Sequence, residues 1–147
     1  RQAHSHEVIM NGSIAKSLSH YYESEKEKLH PFTKSRIEAG IPVSAKQYIE
    51  AIENAKKMQQ TLRKFFNKFD AIITPAATGQ APRDLMNTGN AIFNGYWTMM
   101  GVPAISLPLL KGEDSLPIGI QIISSWNEDF KLLKIAEYIL QETKKAC

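Results

Sequence analysis

Three features of this sequence predict an α/β fold. Short, continuous apolar runs at residues 71–74, 104–107 and 118–123 are fenced by proline or glycine, the pattern of strands covered on both faces. Longer stretches carry apolar residues at intervals of three and four, the mark of amphipathic helices. The balance between the two is uneven, with three strands against four helices, where an average sheet has about five or six strands. The expected architecture is a truncated portion of a larger mixed sheet flanked by helices. Residues 1–69 are expected to be mainly helical cover, and residues 70–147 to hold the strands.

From His4 to Leu29 the apolar positions Met10, Ile14, Leu18 and Tyr21 recur at helical spacing. Gly12 weakens the early turns, and Pro31 closes the helix. The segment PFTKSRIEAGIP reads as a connector with at most one helical turn. Ser44 opens the strongest helix, because Ser44-Ala45-Lys46-Gln47 is a capping box: the hydroxyl takes a backbone donor while Gln47 reaches back. Tyr48, Ile52, Ala55, Leu62, Phe66 and Phe69 line one face of that helix. Each large side chain hidden there contributes about 1.5–3 kcal/mol, which requires a partner surface.

Asp70 leads into the first strand (71–74), closed by Pro75, and residues 76–82 form a loop. A helix is expected over about 88–100, ended by Gly101 and Pro103. The second strand (104–107), a loop from Pro108 to Pro117 and the third strand (118–123) follow. The last helix is expected over about 127–143, with Asn127 as N-cap and Glu128 and Asp129 at its positive end. Leu132, Leu133, Ala136, Ile139 and Leu140 supply its apolar stripe.

The third strand poses a question, because Gln121 sits among isoleucines. Ile118, Ile120 and Ile122 share one face, and Gly119, Gln121 and Ile123 the other. A buried amide must find partners or cost a few kcal/mol. Gln121 is either a core glutamine bonded to the backbone of a neighbouring loop, or a brace for a catalytic loop that Gly119 allows to come close.

Composition excludes several classes. Hydrophobic residues make up 43% and charged residues 22%, ordinary for a soluble globular protein of one-domain length. A net charge of +3, from 18 basic and 15 acidic residues interleaved along the chain, leaves no electrostatic footprint for nucleic acid. The basic stretch KKMQQTLRKFFNK reads as a solvated helix face. No apolar run approaches the roughly 18 residues of a membrane helix, and no h-region follows RQAHSHEV. The one cysteine, Cys147, allows neither an internal disulfide nor a cysteine zinc cluster, so a reducing, cytoplasmic compartment is expected. His4 and His6 face different directions on a helix and lack a third ligand, so no metal site is expected. His20 and His30 receive no role. The chain opens on Arg1 and enters a helix directly, the expectation for a cut from a longer polypeptide.

The run from Asp70 to Leu140 resembles the C-terminal part of the amidase signature family. The matching elements are FDAIITPAA (69–77), AP (81–82), TG (88–89), FNGYWTMMGVPAISLP (93–108), LPIGIQIIS (116–124) and EDFKLLKIAEYIL (128–140). Upstream, AGIPVSAKQYIEA (39–51) fits the helical region that precedes these strands in that family. The resemblance covers nearly the whole chain and about the last third of a full-length member.

It implies a fold completed by an N-terminal portion, and an activity: hydrolysis of the carbon–nitrogen bond of small amides. Family members use a serine nucleophile, a second serine in a cis peptide that passes protons, and a lysine. A serine hydroxyl is a poor nucleophile until a base removes its proton, and a neutral lysine serves if desolvation lowers its pKa. Backbone N–H groups of a Gly/Ser-rich loop supply the oxyanion donors. The eight glycines here are never adjacent, so no Gly-Gly-Ser-Ser-Gly-Gly run exists. No G-x-S-x-G elbow is present either. No catalytic residue is therefore assigned in this chain, which is expected to be inert alone and to need no cofactor.

By position in the resemblance, Thr88, Asn90, Phe93 and Trp97 are candidate substrate-binding residues walling the acyl pocket. Plain core packing is the alternative for Phe93 and Trp97, four apart on one expected helix face. Thr98 departs from the family pattern, which often has asparagine there. Gly119 and Gln121 are candidate bracing residues. The expected partner is a small amide substrate, met together with the N-terminal portion. A glutaminase subunit that feeds ammonia to a partner enzyme shares the fold and is one alternative. The other is a non-enzymatic remnant that forms homo-oligomers to cover its open sheet.

Overall fold

A computed structural model describes residues 2–84 and 86–145. Arg1 and Cys147, which carried expectations above, lie outside the described residues. The chain divides into two compact units, residues 1–58 and 59–147. Among the described residues the elements run α1 (Gln2–Ser17), α2 (Ser19–Ser24), a 3-10 turn (Lys26–Lys28), α3 (Pro31–Gly40), α4 (Ala45–Phe66), β1 (Ile72–Pro75), α5 (Gly95–Met100), β2 (Ala104–Lys111), β3 (Pro117–Ile123) and α6 (Asp129–Lys145).

In the first unit the expected helix to Leu29 is broken at Leu18, whose backbone leaves the helical region (φ −107°, ψ 10°). The expected connector is instead a ten-residue helix, α3. Pro31 stops nothing there. It occupies the first turn, where a missing N–H costs nothing, and His30 caps the helix by accepting the Phe32 N–H at Nδ1 (3.2 Å). Gly40 lies against the Asn11 carbonyl of α1, where any Cβ would collide with it. The capping box of α4 forms: Ser44 Oγ accepts the Gln47 N–H at 3.2 Å, and Gln47 Oε1 accepts the Ser44 N–H at 2.9 Å. Tyr48 meets Ser13 hydroxyl to hydroxyl at 3.1 Å.

The second unit is built on a three-stranded sheet of order β1-β3-β2. Both pairings are antiparallel, so the continuous apolar runs do not signify parallel neighbours here. The short β2–β3 connection decides the pairing of those two strands, since a hairpin can join only antiparallel strands. β2 is longer than expected. It continues through Pro108 to Lys111, with the register shifted by one residue between Leu107 and Leu110. An edge strand with a bulge accommodates a proline that has no ladder hydrogen to give.

One sheet face packs on α6. Leu107, Ile122, Leu132 and Ala136 are buried together, with Ile105, Leu109, Ile135, Ile139 and Leu140 against them. Leu133, expected in this stripe, is 56% exposed, and Ile135 takes its place. Asn127 is not the N-cap expected of it. It sits in the preceding turn at φ +61°, a left-handed conformation that asparagine tolerates. Lys131 closes the start of α6 onto the β1 approach through Asp70 (2.8 Å).

Candidate functional site

The second sheet face carries the polar residues. Gln121, at the centre of β3, pairs with Thr74 of β1 on one side and Ser106 of β2 on the other. The three therefore form a row across the sheet. Gln121 is 6% exposed, and its Nε2 donates to Thr74 Oγ1 (3.1 Å) and to the Phe93 carbonyl (3.3 Å). Beside it, a Cβ at Gly119 would collide with Ser106 Oγ and press on Ala76. Gly119 is thus the residue that lets the β1 exit lie flat on the sheet, where the Ala76 N–H donates to the Gly119 carbonyl at 2.9 Å.

The expected helix over 88–100 is confined to Gly95–Met100. The stretch before it is held by three successive Asx turns. Asp84 Oδ1 accepts from Met86, Asn87 Oδ1 from Gly89, and Asn90 Oδ1 from Ile92, at 2.9–3.0 Å. These side chains offer the backbone an alternative to helix, and Gly89 at φ +85° takes a conformation that the helix excludes. Thr88 and Asn90 are exposed on this segment, while Phe93 and Trp97 are half-buried. Phe93 precedes α5, so it does not share a helix face with Trp97. The contact Phe93 makes with the sheet is through its carbonyl, and the Trp97 ring meets Tyr96 edge-on at 4.8 Å. Burial raises the Tyr96 phenol above its ordinary pKa.

Both ends of the segment are tied down. At the far end, Asn94 Nδ2 donates to the Ala76 carbonyl (3.2 Å), next to the Gln121 bond. At the near end, Arg83 grips Asp114 on the β2–β3 hairpin, Nε to Oδ2 at 3.3 Å and Nη2 to Oδ1 at 2.5 Å. Gln80 adds a reciprocal pair: its Nε2 donates to Asp114 Oδ2 (2.6 Å), and its Oε1 accepts the Asp114 N–H (3.1 Å). The Arg83 and then the Gln80 hydrogen bonds hold the Asp114 carboxyl below its ordinary range. Gly112 is required at the hairpin because any Cβ would enter the Gln80 side chain.

α5 ends on Gly101 at φ +67°, a left-handed C-cap. The preceding Met100 carbonyl accepts from Gln59 Nε2 (3.1 Å) and Trp126 Nε1 (2.8 Å), and Arg63 lies 4.2 Å over the Trp126 ring. The sequence alone singles out none of Ser106, Gln80, Arg83 and Asp114. Ser106 is visible only once register is known, and Arg83 and Asp114 only once two loops are brought to the same sheet end. Among the described residues no group of three or more His, Cys, Asp or Glu could hold a metal ion, and no helix is long and apolar enough to cross a membrane.

Comparison with known proteins gives a consistent picture. A family model described as Amidase matches residues 2–133. A glutamyl-tRNA(Gln) amidotransferase subunit from Clostridium botulinum (strain Eklund 17B / Type B) is 31% identical over 144 residues, covering 90% of this chain and 30% of the relative. The corresponding mitochondrial subunit from Aedes aegypti is 28% identical over 138 residues, covering 84% of this chain and 28% of the relative. The chain thus spans about a third of the length of the curated relatives it matches. A crystal structure of an amidase aligns with 96% of this chain and 35% of its own at a TM-score of 0.84 and 20% identity. A 6-aminohexanoate cyclic dimer hydrolase aligns with 90% of this chain and 33% of its own at a TM-score of 0.70 and 19% identity. These two structures share the fold.

Proposed function

Because the chain belongs to the amidase signature family, we propose that it supplies the sheet core and one pocket wall for hydrolysis of the carbon–nitrogen bond of a small carboxamide. The reaction then requires a polypeptide portion bearing the family's serine–serine–lysine set. In this reading the 147 residues carry no catalytic residue and turn nothing over alone. Thr88, Asn90, Phe93 and Trp97 face the substrate, Gly119 and Gln121 brace the wall, and the site of action is cytoplasmic.

The observation that carries this reading is the Gln121 amide. It joins Thr74, the central strand and the Phe93 backbone, so the segment bearing the four candidates is fixed to the sheet by a buried polar side chain. α6 supports the opposite face with a dry core. This division of labour suits a scaffold that positions a substrate while the nucleophile comes from elsewhere. The test is reconstitution. The chain joined to the N-terminal portion of a family member should release product from a chromogenic amide, and the isolated chain should not. Turnover by the isolated 147 residues overturns the reading.

A second reading is favoured by the relatives themselves, since the two curated proteins above belong to glutamyl-tRNA(Gln) amidotransferases. In it the same wall serves glutamine hydrolysis, with ammonia passed to a partner enzyme. Two aromatic residues, Phe93 and Trp97, are a poor lining for an α-amino acid, which favours the first reading. Glutaminase activity that emerges only when a partner enzyme is added would reverse that order.

A further inference from the structure

We propose that Asp114 is a positioning residue, clasping the pocket wall from the hairpin at the end of the sheet. This rests on the reading that Thr88 and Asn90 face the substrate. The antiparallel order brings the β1 exit and the β2–β3 hairpin to the same sheet end. Residues 86–92, with Thr88 and Asn90 among them, then run between two anchors. One is the Gln80–Arg83–Asp114 cluster. The other is the Asn94 and Gln121 pair of bonds on the polar face.

Between the anchors the Asx turns shape the segment, but they are local and cannot set its height above the sheet. The anchors set it. Asp114 is the member of the near anchor that belongs to the sheet scaffold. Its hairpin is closed by the Gly112 N–H donating to the Leu116 carbonyl (2.9 Å) and by a left-handed turn at Ser115. A forked guanidinium–carboxylate contact fixes orientation as well as distance, and the reciprocal Gln80 pair adds two further bonds to the same residue. Asp114 touches no reacting atom in this scheme. It acts through Arg83 and Gln80 on where Thr88 and Asn90 stand.

Residue-resolved hydrogen exchange of the 147-residue chain tests the clasp directly. In Asp114→Asn the amides of Met86, Gly89 and Ile92 should exchange about three- to fivefold faster, the scale of an exposed charge pair, with those of Gln121 and Ile122 unchanged. Asp114→Glu should restore most of the protection. In the reconstituted hydrolase, Asp114→Asn should raise KM about threefold at constant kcat, by the same measure. Unchanged exchange, or a loss confined to kcat, overturns the proposal. A reconstituted, unsubstituted protein that hydrolyses no amide overturns the pocket reading instead, and the exchange experiment still decides the clasp.

Discussion

Gln121 Nε2 stands 3.3 Å from the Phe93 carbonyl, a bond between the central strand and the backbone just before α5. The second hydrogen of the same amide nitrogen serves Thr74 on the neighbouring strand. One side chain thus satisfies a strand hydroxyl and a loop carbonyl at once. Gln121→Leu keeps the volume and removes both donors. It should destabilise the chain by about 1 kcal/mol, the net worth of a hydrogen bond to half-buried acceptors, measured by urea unfolding. An unchanged midpoint would mean that the Phe93 carbonyl has another donor.

Two glycines should respond in opposite ways. Gly40→Ala drives a methyl into the Asn11 carbonyl, an overpacking of backbone against backbone that should cost about 1–3 kcal/mol or more and lower helical ellipticity. Gly79→Ala meets nothing within 4 Å and should be neutral or raise stability by up to about 1 kcal/mol. Equal effects at both sites would contradict the close approach of α1 and α3.

Acid should open the Asp114 clasp. Its folded pKa lies below the ordinary 3.8 because Arg83 and Gln80 bond the carboxylate. The contribution is therefore present above the unfolded value and is lost as pH falls through the depressed folded value. Carboxyl titration by NMR should place the midpoint below that of a free aspartate. Arg83→Ala should move the midpoint upward. Lys131 runs the other way: Asp70 raises its pKa above 10.5, so its contribution holds below the unfolded value and fades as pH rises through the folded one.

The core beneath α6 and the outer face of that helix should differ sharply. Ile122→Ala opens a cavity among Leu107, Leu132 and Ala136 and should cost about 2–5 kcal/mol. Leu133→Ala, at a position 56% exposed, should change stability by less than about 0.5 kcal/mol. Thermal unfolding of the two variants makes the comparison.

Local signals were the legible ones. The Ser44–Gln47 box, the strand runs and the face assignment of Gln121 depend on spacing within a few residues, and the sequence carries that spacing. Pro31 misled because a proline that ends one helix is equally suited to begin the next, and only His30 acting as a cap decides between them. The segment 88–94 misled for a related reason: its asparagines can cap, turn or ride on a helix, and their use depends on where Phe93 must go.

By itself the sequence determined the α/β class and the family resemblance, because both are written in residue type at short range. The tertiary structure alone decided the antiparallel order, the Thr74–Gln121–Ser106 row and the meeting of Arg83 with Asp114. Those depend on register and chain reversal, which bring Thr74 to Gln121 across 47 positions and Arg83 to Asp114 across 31. The partner of a polar side chain at that range is chosen by the geometry of the whole sheet and not by its own neighbours.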